Sequence, residues 1–134
     1  MSKSRKHKKD CGKYKSHFEM EVAEKLGEEN YEVSELTYEV PAVPHIYIPD
    51  FTVTAQDGHK INFECKGRFR TKAEADKYIY VRDSNPDIDL RFILMDKKTL
   101  MPRSKKTTVY EWLVKHNFTV YVYPNIPKFY NKKL

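Results

Sequence analysis

Three residues pose the chemical question. Asp50 follows Pro49, and Glu64 and Lys66 flank Cys65. Two carboxylates can chelate a hard divalent cation, because such ions take oxygen ligands and keep several waters. A lysine beside them can orient or deprotonate an attacking water, or neutralise charge that develops on a phosphoryl group. The order Asp…Glu-x-Lys therefore suits metal-assisted hydrolysis of a phosphodiester. The backbone carbonyl of Cys65 is a further candidate ligand, which makes its side chain unimportant. The bland reading is a surface hairpin with an ordinary cross-strand Glu–Lys pair, since 33% of the chain is charged.

Apolar parity decides how these residues sit. Side chains alternate faces along a strand. Ile61, Phe63 and Cys65 share one face, and Asn62, Glu64 and Lys66 share the other. Phe51 and Val53 share a face, and Asp50 and Thr52 oppose it. A two-residue turn at Asp57-Gly58 would set Phe51 against Glu64, and a one-residue slip turns a whole strand over. A three-residue loop, Gln56-Asp57-Gly58, with Gly58 left-handed, removes the conflict. Phe51 then faces Phe63, Val53 faces Ile61, and Asp50 lies opposite Glu64. Lys66 follows on the same face.

Around this hairpin, Ser16 reads as a helix cap with Glu19 completing a capping box. Phe18, Val22 and Leu26 recur at helical spacing, giving a helix over 17–29. Glu19 thus has two roles open, a cap or a third carboxylate at the metal site. The stretch 31–40 alternates with a phase shift, as a bulged strand or two short strands. Pro41 and Pro44 stiffen the following connection. Strands over 46–54 and 60–66 make the hairpin. A second helix is expected over 71–84, capped by Thr71 and ended by Asn85-Pro86. The run 90–95 is almost wholly apolar, hence a central strand covered on both sides. Thr108-x-x-Glu111 is another capping box, opening a helix over 109–116, and 118–123 is a last strand. The order implies an α/β fold: a mixed central β-sheet flanked by helices.

The length of 134 residues suits one domain. The net charge of +6 lies in the first fifteen residues, where Lys3, Arg5, Lys6, Lys8, Lys9, Lys13 and Lys15 face only Asp10. The other 119 residues hold eighteen charges of each sign. Residues 1–15 read as a disordered basic arm and 16–134 as the folded domain. Such an arm suggests a polyanion, most often nucleic acid, with a solubility or localisation tail as the alternative. No apolar run approaches the roughly 20 residues of a membrane span, and no apolar signal core follows the basic start. Cys11 and Cys65 make no disulfide framework, so reduced thiols in a cytoplasm are expected. The histidines lack zinc-ligand spacing, and no glycine-rich phosphate loop or nucleophilic serine or cysteine motif is present.

The chain resembles the bacteriophage endonuclease I family of Holliday-junction resolvases. The carriers are H-x-Y-x-P-D-F at His45–Phe51, E-x-K-G at Glu64–Gly67, R-x-x-x-P-x-x-D-x-R at Arg82–Arg91, and Glu19 near the start of the first helix. The similarity runs collinearly over about 16–118. It implies a PD-(D/E)xK nuclease core using Mg²⁺, with Mn²⁺ able to substitute. It implies catalytic Glu19, Asp50, Glu64 and Lys66, with Asp50, Glu64, Glu19 and the Cys65 carbonyl at the metal. It further implies a homodimer with exchanged N-terminal segments, in which 31–44 is the crossing bridge, acting on branched DNA by paired nicking. The basic arm with Arg68, Arg70 and Lys72 would contact the DNA backbone. A phage protein would work in the host cytoplasm. Three departures stand out. The Asp50–Glu64 loop is longer than the family's and the bridge is shorter. A further family acid near position 35 aligns with either Glu35 or Ser34. Two other functions stay open: a related nuclease acting on ordinary duplex, and a catalytically silent DNA-binding protein.

Overall fold

The computed structural model of the chain describes residues 11–39 and 44–128. In chain order they form α1 (His17–Leu26), a 3₁₀ turn (Glu28–Asn30), β1 (Leu36–Glu39), β2 (Pro44–Tyr47), β3 (Phe51–Thr54) and β4 (Lys60–Lys66). Then come α2 (Lys72–Ser84), β5 (Leu90–Leu94), α3 (Val109–Lys115) and β6 (Thr119–Val122). The fold is mixed α/β, as expected.

A four-stranded sheet runs β3-β4-β5-β6, antiparallel at β3/β4 and parallel at the other two pairs. Both parallel connections step the same way across the sheet, so a common handedness puts α2 and α3 on one face. That face buries Tyr78 and Val81 of α2 and Trp112 and Leu113 of α3 against Leu90, Phe92 and Leu94. The opposite face packs Val22, Ala23 and Leu26 of α1 on Phe51, Ile61, Phe63 and Ile93. Strand β5 is apolar at every position but Arg91, and Phe92 and Ile93 serve opposite layers, both fully buried.

Local sequence accounts for the helix starts. Ser16, Thr71 and Thr108 each accept the backbone N–H of the residue three further on. Thr108 and Glu111 complete a reciprocal capping box. Glu19 does not make the expected reciprocal bond, since its carboxylate accepts from the N–H of Lys15 instead. The first helix also stops at Leu26, because Gly27 at φ +98° breaks it before the 3₁₀ turn.

The hairpin register is the expected one: Phe51 pairs with Phe63 and Val53 with Ile61. Ala55 N–H donates to the His59 carbonyl at 2.8 Å, so Gln56, Asp57 and Gly58 form the loop, with Gly58 at φ +93°. The strand expected over 46–54 is broken. Its first part is β2, which pairs with β1 in a separate two-stranded sheet. Pro49 has no N–H to give a ladder, so the chain bends there and β3 starts at Phe51. The expected strand over 31–40 also splits. Tyr31 bridges Phe51 alone, and β1 begins at Leu36. Between them Val33 is well exposed, so nothing holds it in a sheet.

Residues 11–15, grouped above with the arm, pack in the structure because Tyr14 has an aromatic partner. Its ring meets Tyr31 edge-on at 4.5 Å. Lys3, Arg5, Lys6, Lys8 and Lys9 lie outside the described residues, as do 40–43 of the bridge. Among the described residues no helix is long and apolar enough to cross a membrane.

Candidate active site

The β3–β4 register carries Asp50 to the position opposite Glu64. Asp50 Oδ2 accepts the N–H of Cys65 at 2.8 Å, which ties it to the strand that bears Glu64 and Lys66. Asp50, Glu64 and Lys66 line one cleft of about 290 Å³. Lys15, Glu32, Tyr47, Lys77 and Tyr78 complete its polar wall, and Ile46 and Ile48 stand at its edge.

Glu64 is held at both oxygens. The Tyr47 hydroxyl donates to Oε1 at 2.6 Å and the Tyr78 hydroxyl to Oε2 at 2.9 Å. Burial first, then the charge of Glu64, pushes both phenols well above their ordinary range, so they remain donors. Lys66 Nζ lies 3.7 Å from Glu64 Oε2 and 2.8 Å from Glu74 Oε2. Glu74 is fixed in turn by the Arg70 N–H at 2.7 Å. Burial alone would lower the Lys66 ammonium, but Glu64 and Glu74 outweigh it and raise the pKa. Lys66 is therefore a cation here, which favours charge neutralisation over deprotonation of water.

Asp50 is 2% exposed. Burial, then the charges of Glu64 and Glu19, pushes its carboxyl up to about 9, against the opposing pull of the Cys65 N–H and Lys15. Lys15 Nζ sits 3.5 Å from Asp50 Oδ1 and 3.1 Å from Glu32 Oε2. The same residue's N–H reaches Glu19 Oε1 at 2.9 Å, and the Tyr31 hydroxyl adds a bond to that oxygen at 2.7 Å. Lys15 thus joins the α1 carboxylate to the hairpin carboxylate.

The expected residues separate into groups. Asp50, Glu64 and Lys66 meet in the cleft. Glu19 stands behind it, buried, close enough for its charge to act on Asp50. Among the described residues no group of three His, Cys, Asp or Glu side chains has the arrangement of a cation site. Cys65 turns its thiol into the core, where burial raises it, and its peptide lies beside Asp50. Lys15, expected on DNA, faces the acids of the site. Lys13 pairs with Glu28 at 3.8 Å and Lys72 with Asp76 at 3.4 Å, while Arg68 and Arg70 are exposed. A larger hollow, about 510 Å³, lies at the loop end of the hairpin beside His59 and Asn62, away from the carboxylate pair.

Sequence reasoning missed Tyr31, Glu32, Glu74, Lys77 and Tyr78, and gave Tyr47 no role beyond its place in the H-x-Y-x-P-D-F motif. Tyr47 has the parity of Phe51, which along an unbroken strand sets it on the core face, yet with the strand broken at Pro49 its hydroxyl reaches Glu64. The others are brought in by tertiary packing, which local spacing does not report.

The Phage endonuclease I family model matches residues 1–131. The chain is 26% identical over 87 residues to Endodeoxyribonuclease 1 of Enterobacteria phage T3, covering 65% of this chain and 54% of that protein. It is 27% identical over 109 residues to Endonuclease I of Escherichia phage T7, covering 78% of this chain and 70% of that protein. It thus spans about half the length of the first relative and more of the second. With a match that runs nearly end to end, the chain belongs to the phage endonuclease I family.

Proposed function

We propose that the protein is a Mg²⁺-dependent, structure-selective DNA endonuclease of the PD-(D/E)xK type that resolves four-way junctions by paired nicking. One observation carries the reading: a single hairpin register gathers Asp50, Glu64 and Lys66 in one cleft. The names of the T3 and T7 relatives point the same way.

The donor set fits a hard divalent ion. Its candidate ligands are all oxygens, and the buried Asp50 carboxyl is raised by neighbouring acids whose repulsion a cation would relieve. Asp50 and Glu64 would hold Mg²⁺ or Mn²⁺, with the Cys65 carbonyl and Glu19 as further ligands. The ion would supply Lewis acidity at the scissile phosphate. The chain's own residues do the positioning. Tyr47 and Tyr78 orient Glu64, the Cys65 N–H orients Asp50, and Lys66 keeps its positive charge for the developing oxyanion.

The working unit we propose is a homodimer with exchanged N-terminal segments, so that one dimer presents two clefts to one branched DNA, in the cytoplasm of the host cell. The test compares Mg²⁺-dependent cleavage of a four-way junction with that of linear duplex carrying the same arms. Faster cleavage of the junction is expected, and equal rates would overturn junction selectivity. Asp50→Ala and Glu64→Ala should each lose activity by at least a hundredfold, and wild-type rates in either would overturn the site.

A further inference from the structure

Three lysines line the active cleft, and two are already engaged. Lys15 answers Asp50 and Glu32, and Lys66 answers Glu64 and Glu74. Lys77 differs. Its ammonium lies over the rings of Tyr78 and Tyr47, at 5.0 and 5.6 Å from their centroids, and it has no ion-pair partner among the described residues. Glu74, which feels its charge, already accepts from Lys66 and from the Arg70 N–H. A ring face steadies an ammonium without using its N–H donors. Lys77 is thus a placed cation with donors open for an anion.

Lys77 is also the wall between two hollows. On one side is the active cleft. On the other is a groove of about 320 Å³ lined by Tyr38, His45, Ala73, Asp76 and Tyr80. Asp76, the acid of this groove, is paired with Lys72, so the groove does not repel an anion as the cleft does. His45 is exposed and stacked on Tyr38, with centroids 5.2 Å apart and planes 25° apart. Tyr80 is 39% exposed. Aromatic rings of this kind offer a face to a nucleobase whatever its sequence.

We propose that Lys77 and this groove form a subsite for the nucleotide flanking the scissile phosphate. Lys77 takes the neighbouring phosphate, and His45 and Tyr80 take the sugar and an unstacked base. The groove requires a base that can leave its stack, which a branch point supplies and uninterrupted duplex does not. This assignment rests on the nuclease reading for the identity of the strand, and on the geometry above for its path.

Binding tests it apart from catalysis. The full chain is titrated onto a four-way junction in EDTA across a range of salt, followed by fluorescence anisotropy. Lys77→Met should weaken binding about tenfold and reduce the slope of log Kd against log salt by about one, and Lys77→Arg should restore both. Tyr80→Ala and His45→Ala should weaken binding to the junction severalfold with the slope unchanged. An unchanged slope in Lys77→Met overturns the phosphate contact. Unchanged affinity in both aromatic variants overturns the base contact. Lys77 also touches the tyrosines that hold Glu64, so cleavage kinetics separate the two roles. A raised KM supports the subsite, and a lowered kcat at wild-type KM overturns it. A wild-type protein that binds the junction without Mg²⁺-dependent cleavage removes the nuclease reading and leaves the binding test intact.

Discussion

Glu64 is the acid of the site that two buried phenols hold, one at each oxygen. Each would leave a carboxylate oxygen short of a donor if removed. Tyr47→Phe and Tyr78→Phe should each cost about 1–3 kcal/mol of stability, measured by denaturant unfolding. The same changes should cost clearly less in a Glu64→Ala background, because a double-mutant cycle removes the shared partner. Asp50 offers a pH test. Its folded pKa, about 9, is raised above the ordinary carboxylate value of about 3.9. The stability it contributes is therefore complete below about pH 4 and lost as pH rises towards 9. Metal-free protein should lose thermal stability between pH 5 and 8, and Asp50→Asn should remove most of that slope. An identical slope in the variant would show that Asp50 is not the strained group. None of this was visible in the spacing of Asp50, Glu64 and Lys66, which names the acids without naming what presses on them.

At the level of elements, the hairpin was the most legible part of the sequence. Its strands are buried on one face by Phe51, Val53, Ile61 and Phe63, so only one register hides all four. The loop obeys the same constraint. Gly58 sits at φ +93° with open space where a Cβ would stand. Gly58→Ala should thus cost about 1–2 kcal/mol from backbone strain alone, with cleavage retained because the buried strand faces still fix the register. Loss of cleavage in a folded Gly58→Ala protein would show that the loop does more. The three helix caps were legible too, because they depend on residues three apart. Thr108→Ala should lower stability by about 1 kcal/mol. The separate β1–β2 sheet was not legible. Whether β2 continues into β3 or folds onto β1 depends on a bend at Pro49 and on partners five to eleven residues upstream, and alternation alone reads the same in both cases.

For the molecule as a whole, the parallel β4-β5-β6 core with α2 and α3 on one face leaves the other face to α1. That β5 is covered on both sides was legible from its apolar run, which Arg91 alone interrupts. The consequence for the site was not. Lys15, Glu19, Tyr31 and Glu32 all precede β1, whereas Tyr47, Asp50, Glu64, Lys66, Lys77 and Tyr78 all follow it. The site is a joint between two blocks of sequence. A joint of this kind lends itself to complementation. In an exchanged dimer, mixing Glu19→Gln chains with Glu64→Gln chains would put both defects in one cleft and leave its twin intact. Such mixtures should recover single-strand nicking of a junction, visible on a denaturing gel, although each variant alone is inert. A protein that completes each cleft from one chain would recover nothing, however the variants are combined.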